Sequence, residues 1–290
     1  VSDAPLSERL RGPAFMTLAM ACFALEDFFL KSALERINVA LTLVLFGAGG
    51  MAVFALWART RGEAVFAPGL RSRALVLRSL AEVGGRLFYT LAFALAPLSL
   101  VSAILQAAPL VVAAGAVVVF GERVGWRRWS AIAVGFCGVL IILRPWEAGL
   151  PATAIFALLG MLGFALRDLA TRASPPAMSN AQLGVAGFAM LIVAGLVMMT
   201  VTGPGPLPDA RSAGFFALAI AVGVLAYAAL TTAMRVGEVS LTVPWRYTRL
   251  VFAMALGVLV LGERPDAATL LGAAIIVASG LYTLRRSAQT

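Results

Sequence analysis

Long apolar runs follow one another along this chain, each close to the roughly 20 residues that a helix needs to cross a hydrocarbon core. Ten runs can be drawn. They lie at about residues 13–33, 38–58, 72–95, 98–120 and 127–144, then at about 152–172, 180–202, 212–234, 239–261 and 266–284. Turn and breaker residues fall between them: Pro97, Gly121, Pro145, Pro151, the pair Pro175 and Pro176, the run from Gly203 to Pro206, and Pro265. The pattern predicts an all-α integral membrane protein of ten transmembrane helices. Nothing is left over for a soluble domain.

The pattern also repeats. "FALEDFFLK" at 23–31 returns as "FALRDLATR" at 164–172, an offset of 141 residues that carries Phe23 onto Phe164, Asp27 onto Asp168 and Lys31 onto Arg172. The same offset carries "GERV" at 121–124 onto "GERP" at 262–265, Ser99-Leu100 onto Ser240-Leu241, and Leu143-Arg144 onto Leu284-Arg285. Two five-helix repeats are therefore expected, 1–145 and 146–290, forming one transport domain. A unit with five crossings ends on the side opposite its start, so its copy must be inserted upside down. That is the inverted-repeat plan of secondary transporters.

Composition narrows the function. The chain is 61% hydrophobic and 13% charged, about half the charge of an ordinary soluble domain, with a mean hydropathy of +0.94. Histidine is absent, which removes His-based metal sites, proton shuttles and Ser–His or Cys–His catalysis. Cys22 and Cys137 sit inside apolar runs, so no disulfide framework is expected. No metal, no cofactor and no enzymatic activity are expected. Twelve fairly polar residues, VSDAPLSERLRG, lead straight into the first apolar run, so a cleavable signal is not expected.

The net charge of +9 is strung across short loops without a basic block, so membrane lipids rather than nucleic acid are the expected partners. Thirteen arginines fall on the side of the two termini, against Lys31, Arg36, Arg144, Arg211 and Arg264 on the other. By the positive-inside rule both termini face the cytoplasm of a bacterial inner membrane.

Ten spans in two repeats, with "GER" closing the fourth span and again the ninth, resemble the drug/metabolite transporter superfamily. More narrowly they resemble its bacterial ten-helix metabolite exporters, whose repeats are called EamA domains. "FGERVGWRRWSAIAVGFCGVLIILRP" at 120–145 carries the resemblance most clearly. It implies a basket of helices around a central cavity lined by the first, third, fourth, sixth, eighth and ninth spans. Members of the superfamily move amino acids, nucleotide-linked sugars, riboflavin, sulfonium metabolites or cationic drugs.

Nine ionisable residues lie away from the loop ends: Glu26, Asp27, Arg78, Glu82, Arg86, Arg167, Asp168, Arg246 and Arg249. Each charge costs about 3 kcal/mol at a helix centre, so such residues face a cavity or one another. Arg78, Glu82 and Arg86 are spaced by four residues on the third span, with Tyr89 beyond. Arg78 and Glu82 are expected to form a structural ladder and Arg86 to face cargo. Tyr227 is the repeat counterpart of Arg86, and Gln106 that of Tyr247. Pro244 should disturb the start of the ninth span. There Arg246 and Arg249, beside Trp245, suit a carboxylate held in bidentate fashion, or else pair with Glu26, Asp27 or Asp168. Asp27–Lys31 and Asp168–Arg172 are expected as structural pairs at helix ends. Glu26 and Arg167 hold equivalent repeat positions with opposite charge, as an asymmetric cargo requires.

Carboxylates and guanidiniums together suit a zwitterion. The expected substrate-binding set is Glu26, Asp27, Arg86, Tyr89, Gln106, Arg167, Asp168, Tyr227, Trp245, Arg246 and Arg249. The expected activity is export of neutral or aromatic amino acids by alternating access, from a monomer or weak homodimer. The alternatives are another metabolite or drug, or a lipid headgroup.

Overall fold

The computed structural model describes residues 6–34, 38–66, 72–95, 104–144, 146, 152–175, 177–236, 238–261 and 264–287. Among them there is no β-strand. In chain order the helices are α1 (Leu6–Leu34), α2 (Val39–Thr60), α3 (Arg73–Leu95), α4 (Ala108–Phe120), α5 (Trp126–Leu143), α6 (Ala154–Arg172), α7 (Asn180–Thr202) and α8 (Ala210–Arg235). A short α9 (Val239–Thr242) then passes through a 3-10 turn (Val243–Tyr247) into α10 (Thr248–Leu261), and α11 (Ala267–Ser287) follows. Among the described residues six stretches are long and apolar enough to cross a membrane: Leu10–Leu30, Val39–Thr60, Ala154–Arg172, Asn180–Thr202, Ala210–Arg235 and Val243–Val260. Ala108–Phe120 and Ala267–Ser279 are shorter apolar helices.

Two spans differ from the simple pattern. The fourth, expected as one helix over 98–120, has a turn at Gln106 and Ala107 and a regular helix only from Ala108. Pro109 lies in the first turn, where its missing N–H leaves no gap in the helix. The ninth breaks where Pro244 predicted, as the 3-10 turn carrying Trp245, Arg246 and Tyr247. Positions 98–103, Pro97, Pro145, Pro151, Pro176, Gly262 and Glu263 lie outside the described residues.

Helix ends follow from local chemistry. Asn38 caps α2 by accepting from Leu41 N at 2.8 Å, and its amide donates to Gly203 O at 2.8 Å, tying two loops together. Ser179 and Gln182 form a reciprocal capping box at α7. Gly121 of the first "GER" ends α4 at φ 65°, a left-handed position that glycine adopts without strain. Glu122 then accepts from Val239 N at 3.0 Å, and Arg128 pairs with Glu238. The motif thus anchors the start of the broken ninth span.

Four helix pairs make the bundle: α1 with α8, α2 with α7, α3 with α6, and α5 with α11. Lipid tails are as apolar as these helices, so close packing rather than water exclusion holds them. In the second pair Phe46, Phe54 and Phe188 meet at ring distances of 5.4 and 5.5 Å, and Tyr227 of α8 joins Phe188 at 5.2 Å. Between α3 and α6 the backbones themselves touch. A Cβ on Gly163 would lie 2.6 Å from Gly85 Cα, so the close approach needs glycine at 163.

Candidate functional site

The charged residues of the spans fall into two groups that meet at Phe164. The first group lies in the half of the bundle nearer the C-terminal ends of α6 and α8. Arg78 Nε donates to Thr171 Oγ1 at 2.9 Å, and another Arg78 nitrogen donates to the Tyr227 hydroxyl. The Tyr227 hydroxyl reaches Glu82 at 3.5 Å. Glu82 also pairs with Arg167 at 3.3 Å. Arg167 holds Asp168 at 2.8 Å, and the other oxygen of Asp168 binds Arg246. Arg78, Glu82 and Asp168 are each only 1% exposed. Three helices and the 3-10 turn are joined by this network, whose charges neutralise one another across helices.

The second group lies on α1, α3 and α10. Arg249 donates twice to Asp27 Oδ2, at 3.0 and 2.5 Å, and its guanidinium lies 5.2 Å from the centre of the Phe23 ring. Side-chain exposures are 37% for Arg249 and 53% for Asp27, so this pair is open where the first group is sealed. Glu26, Arg86 and Tyr89 lie within electrostatic reach of it. The Arg86 guanidinium sits 5.6 Å from the Phe164 ring centre, and that of Arg167 sits at 5.2 Å. Tyr89 meets the same ring edge-on at 5.7 Å.

Two members of the second group stand apart. Glu26 is 7% exposed, and its Oε2 is buried with no hydrogen-bond partner among the described residues. Arg86 likewise has a buried Nε without a partner, and it forms no ion pair among the described residues. The other span arginines are all engaged: Arg78 by hydroxyls, Arg167, Arg246 and Arg249 by carboxylates.

Several expectations are corrected by this geometry. Among the described residues Arg78 and Glu82 keep a structural role but do not pair with each other along α3, Arg78 going to Thr171 and Tyr227. Glu82 turns to Arg167 across the helix interface, because a partner on another helix desolvates with it. Asp168 binds Arg167 and Arg246 rather than Arg172, which donates instead to Arg235 O at 2.9 Å. Asp27 takes Arg249 as its partner, and the side chain of Lys31 lies outside the described residues. Of the two expected outcomes for Arg246 and Arg249 the structure shows the pairing, with Asp168 and Asp27 respectively, on either side of the end of the 3-10 turn.

Tyr227 serves the sealed network, not a shared surface with Arg86. Trp245 packs against the apolar cluster of α1 and α8, and its indole N–H is buried without a partner among the described residues. Gln106 is half-buried in the turn before α4, with no bond to these charges among the described residues. Thr171 and the two phenylalanines were absent from the expected set. Thr171 lies four residues after Arg167, and Phe23 and Phe164 are related by the 141-residue sequence offset. Both signals were visible in the spacing.

The EamA-like transporter family matches this chain twice, over residues 10–144 and 150–285. The S-adenosylmethionine uptake transporter of Rickettsia prowazekii (strain Madrid E) is 25% identical over 214 residues, covering 72% of this chain and 70% of that protein. The riboflavin transporter of Rhizobium johnstonii is 28% identical over 190 residues, which span 63% of this chain and 60% of that protein. One solved crystal structure superposes with a TM-score of 0.80 at 20% identity, covering 96% of this chain and 98% of the other, and so shares the fold. With its apolar spans and two family matches, the chain belongs to the EamA-like transporter family and is a multi-pass membrane transporter.

Proposed function

We propose that this chain is an inner-membrane secondary transporter that exports small zwitterionic metabolites, foremost neutral and aromatic amino acids. The observation that carries the reading is the pair Glu26 and Arg86. Among the described residues the other charges in the spans have partners, whereas Glu26 Oε2 and Arg86 Nε, both beside the Asp27–Arg249 pair, have none. One free carboxyl and one free guanidinium complement a cargo bearing both an ammonium and a carboxylate. The planar fork of Arg86 suits the carboxylate. No chemistry is needed, and the protein acts as a monomer or weak homodimer among membrane lipids.

The transport cycle follows from ten spans in two inverted repeats. Exchanging each helix with its counterpart 141 residues away turns the α1–α8 pair into α6–α3 and leaves α2–α7 and α5–α11 unchanged. The double family match supports the same division. With both termini cytoplasmic, the sealed network closes the cytoplasmic side while Asp27 and Arg249 stay open to the other. Alternating access exchanges those two conditions.

A second reading is favoured by the relatives, which are named for S-adenosylmethionine and riboflavin. In that case the cargo carries a planar ring system, with Phe23, Phe164 and Tyr89 beside it. The test is counterflow of radiolabelled L-phenylalanine in proteoliposomes, with threonine, S-adenosylmethionine, riboflavin and choline as competitors. Amino acids should compete best. Inert amino acids with strong inhibition by either ring-bearing compound would shift the reading to the second cargo class. Preference for choline would overturn the zwitterion argument.

A further inference from the structure

The Phe164 ring reaches from α6 onto α3. A Cβ on Gly85 would lie 3.1 Å from Phe164 Cδ1, so the glycine next to Arg86 makes room for the ring. Two guanidiniums share that ring, Arg86 at 5.6 Å from its centre and Arg167 at 5.2 Å, while Tyr89 meets it edge-on. Arg167 is held by Glu82 and Asp168, which ties its side of the contact to the sealed network. An aromatic face attracts a cation through its quadrupole, without any counter-charge. It therefore steadies the charge of Arg86 and leaves the N–H donors of the guanidinium free. A carboxylate would occupy those donors, as Asp27 occupies two of Arg249.

We propose that Phe164 is a positioning residue of the cargo site: its ring holds the Arg86 guanidinium apart from Glu26 and Asp27, with donors ready for the cargo carboxylate. No ion pair has to break before that carboxylate binds. Phe23, 141 positions earlier in the chain, lies 5.2 Å from the Arg249 guanidinium, but that arginine is already bound to Asp27. The two rings thus differ in what they leave available, and only the Phe164 ring presents an arginine without a carboxylate among the described residues. The inference rests on the transport reading above, and two measurements separate them.

The first needs no cargo. Phenylglyoxal attacks uncovered guanidiniums, and its adduct at Arg86 is followed by mass spectrometry of the purified protein. Labelling there should be several times faster in Phe164→Leu than in the wild type, and close to the wild-type rate in Phe164→Tyr, which keeps the ring. Phe164→Met gives the same reading should Phe164→Leu fold poorly. An unchanged rate without the ring overturns the proposal. The second is the concentration dependence of L-phenylalanine and L-threonine counterflow in proteoliposomes. Phe164→Leu should raise KM for both by about 3- to 30-fold, the range a guanidinium–ring contact supports, with the maximal rate little changed. Phe164→Tyr should keep the wild-type KM. An unchanged KM in Phe164→Leu overturns the proposal, as does a rise confined to phenylalanine, which would set Phe164 against the cargo's own ring. Faster labelling without amino-acid flux in the wild type supports the hold on Arg86 and removes the amino-acid cargo instead.

Discussion

Asp27 and Asp168 are related by the 141-residue offset of the sequence, and each binds an arginine of the same broken segment. Asp27 holds Arg249 and Asp168 holds Arg246, three residues apart on either side of the end of the 3-10 turn. Their surroundings differ sharply, with side-chain exposures of 53% for Asp27 and 2% for Asp168. Two aspartates in matching sequence surroundings thus form an open pair and a sealed pair at once. That asymmetry distinguishes the two faces of the bundle.

Removing the sealed carboxylate should therefore cost far more than removing the open one. Asp168→Asn strands Arg246 and weakens Arg167, and breaking a buried pair costs about 3–5 kcal/mol. Asp27→Asn loosens an exposed pair worth about 0–1 kcal/mol. Thermal unfolding in detergent should show a large drop for the first and little change for the second. Equal drops would mean that the two pairs are equally buried in the resting protein.

The sequence disclosed six apolar spans and the position of the break at Pro244 because both rest on local rules, apolar length and a missing N–H. It also disclosed which charges matter, since a charge in a span needs an explanation wherever it lies. Pairing was not legible. The helical spacing of Asp168 and Arg172 suggested a partner, but Arg167 and Arg246 outcompete it through contacts that only the packing of α3, α6 and the 3-10 turn creates. For the same reason the idle state of Arg86 and Glu26 was visible only once every competing partner had been placed.

The backbone contact between α3 and α6 sets the height of Arg86 above Phe164. Gly163→Val would place new atoms against Gly85 Cα and Ala81 O. Overpacking of this kind costs about 1–3 kcal/mol. Lower thermal stability and reduced phenylalanine flux are expected together. Gly84→Ala, where a Cβ meets nothing within 4 Å, is the control and should leave both unchanged.

Asp266, in the loop before α11, accepts from Thr269 N at 2.8 Å and pairs with Arg144. These contacts hold its carboxyl down to about 2. Because the folded value lies below the unfolded one of about 3.9, the stabilisation is complete above that value and is lost as pH falls through about 2. Asp266→Asn should lower the melting temperature at neutral pH, with the gap to wild type closing between about pH 4 and about pH 2. A gap that stays constant across this range would assign the effect to something other than ionisation.

Topology is tested by cysteine labelling after replacing Cys22 and Cys137 with alanine. Thr60 ends α2 and Pro206 lies between α7 and α8, and both are exposed. In a ten-span arrangement they lie on opposite faces, with Thr60 on the side of the termini. Thr60→Cys should resist an impermeant maleimide in intact cells, while Pro206→Cys should react. Labelling of both from outside would break the ten-span arrangement and the inverted repeat with it.

The most direct test of the cargo site is Arg86. Removing a paired arginine strands its partner's charge and unsettles the fold, but among the described residues Arg86 has no carboxylate to strand. Arg86→Ala should therefore keep the wild-type melting temperature and lose saturable phenylalanine flux. Arg86→Lys should recover only part of it, because an ammonium keeps the charge and loses the fork. Arg246→Ala should instead lower stability by opening the sealed network around Asp168. Arg249→Ala bears on the remaining possibility, that cargo displaces Asp27 from this exposed arginine. If Arg86→Ala transports normally while Arg249→Ala does not, the carboxylate anchor lies at Arg249, and Asp27 is the group that the cargo must displace.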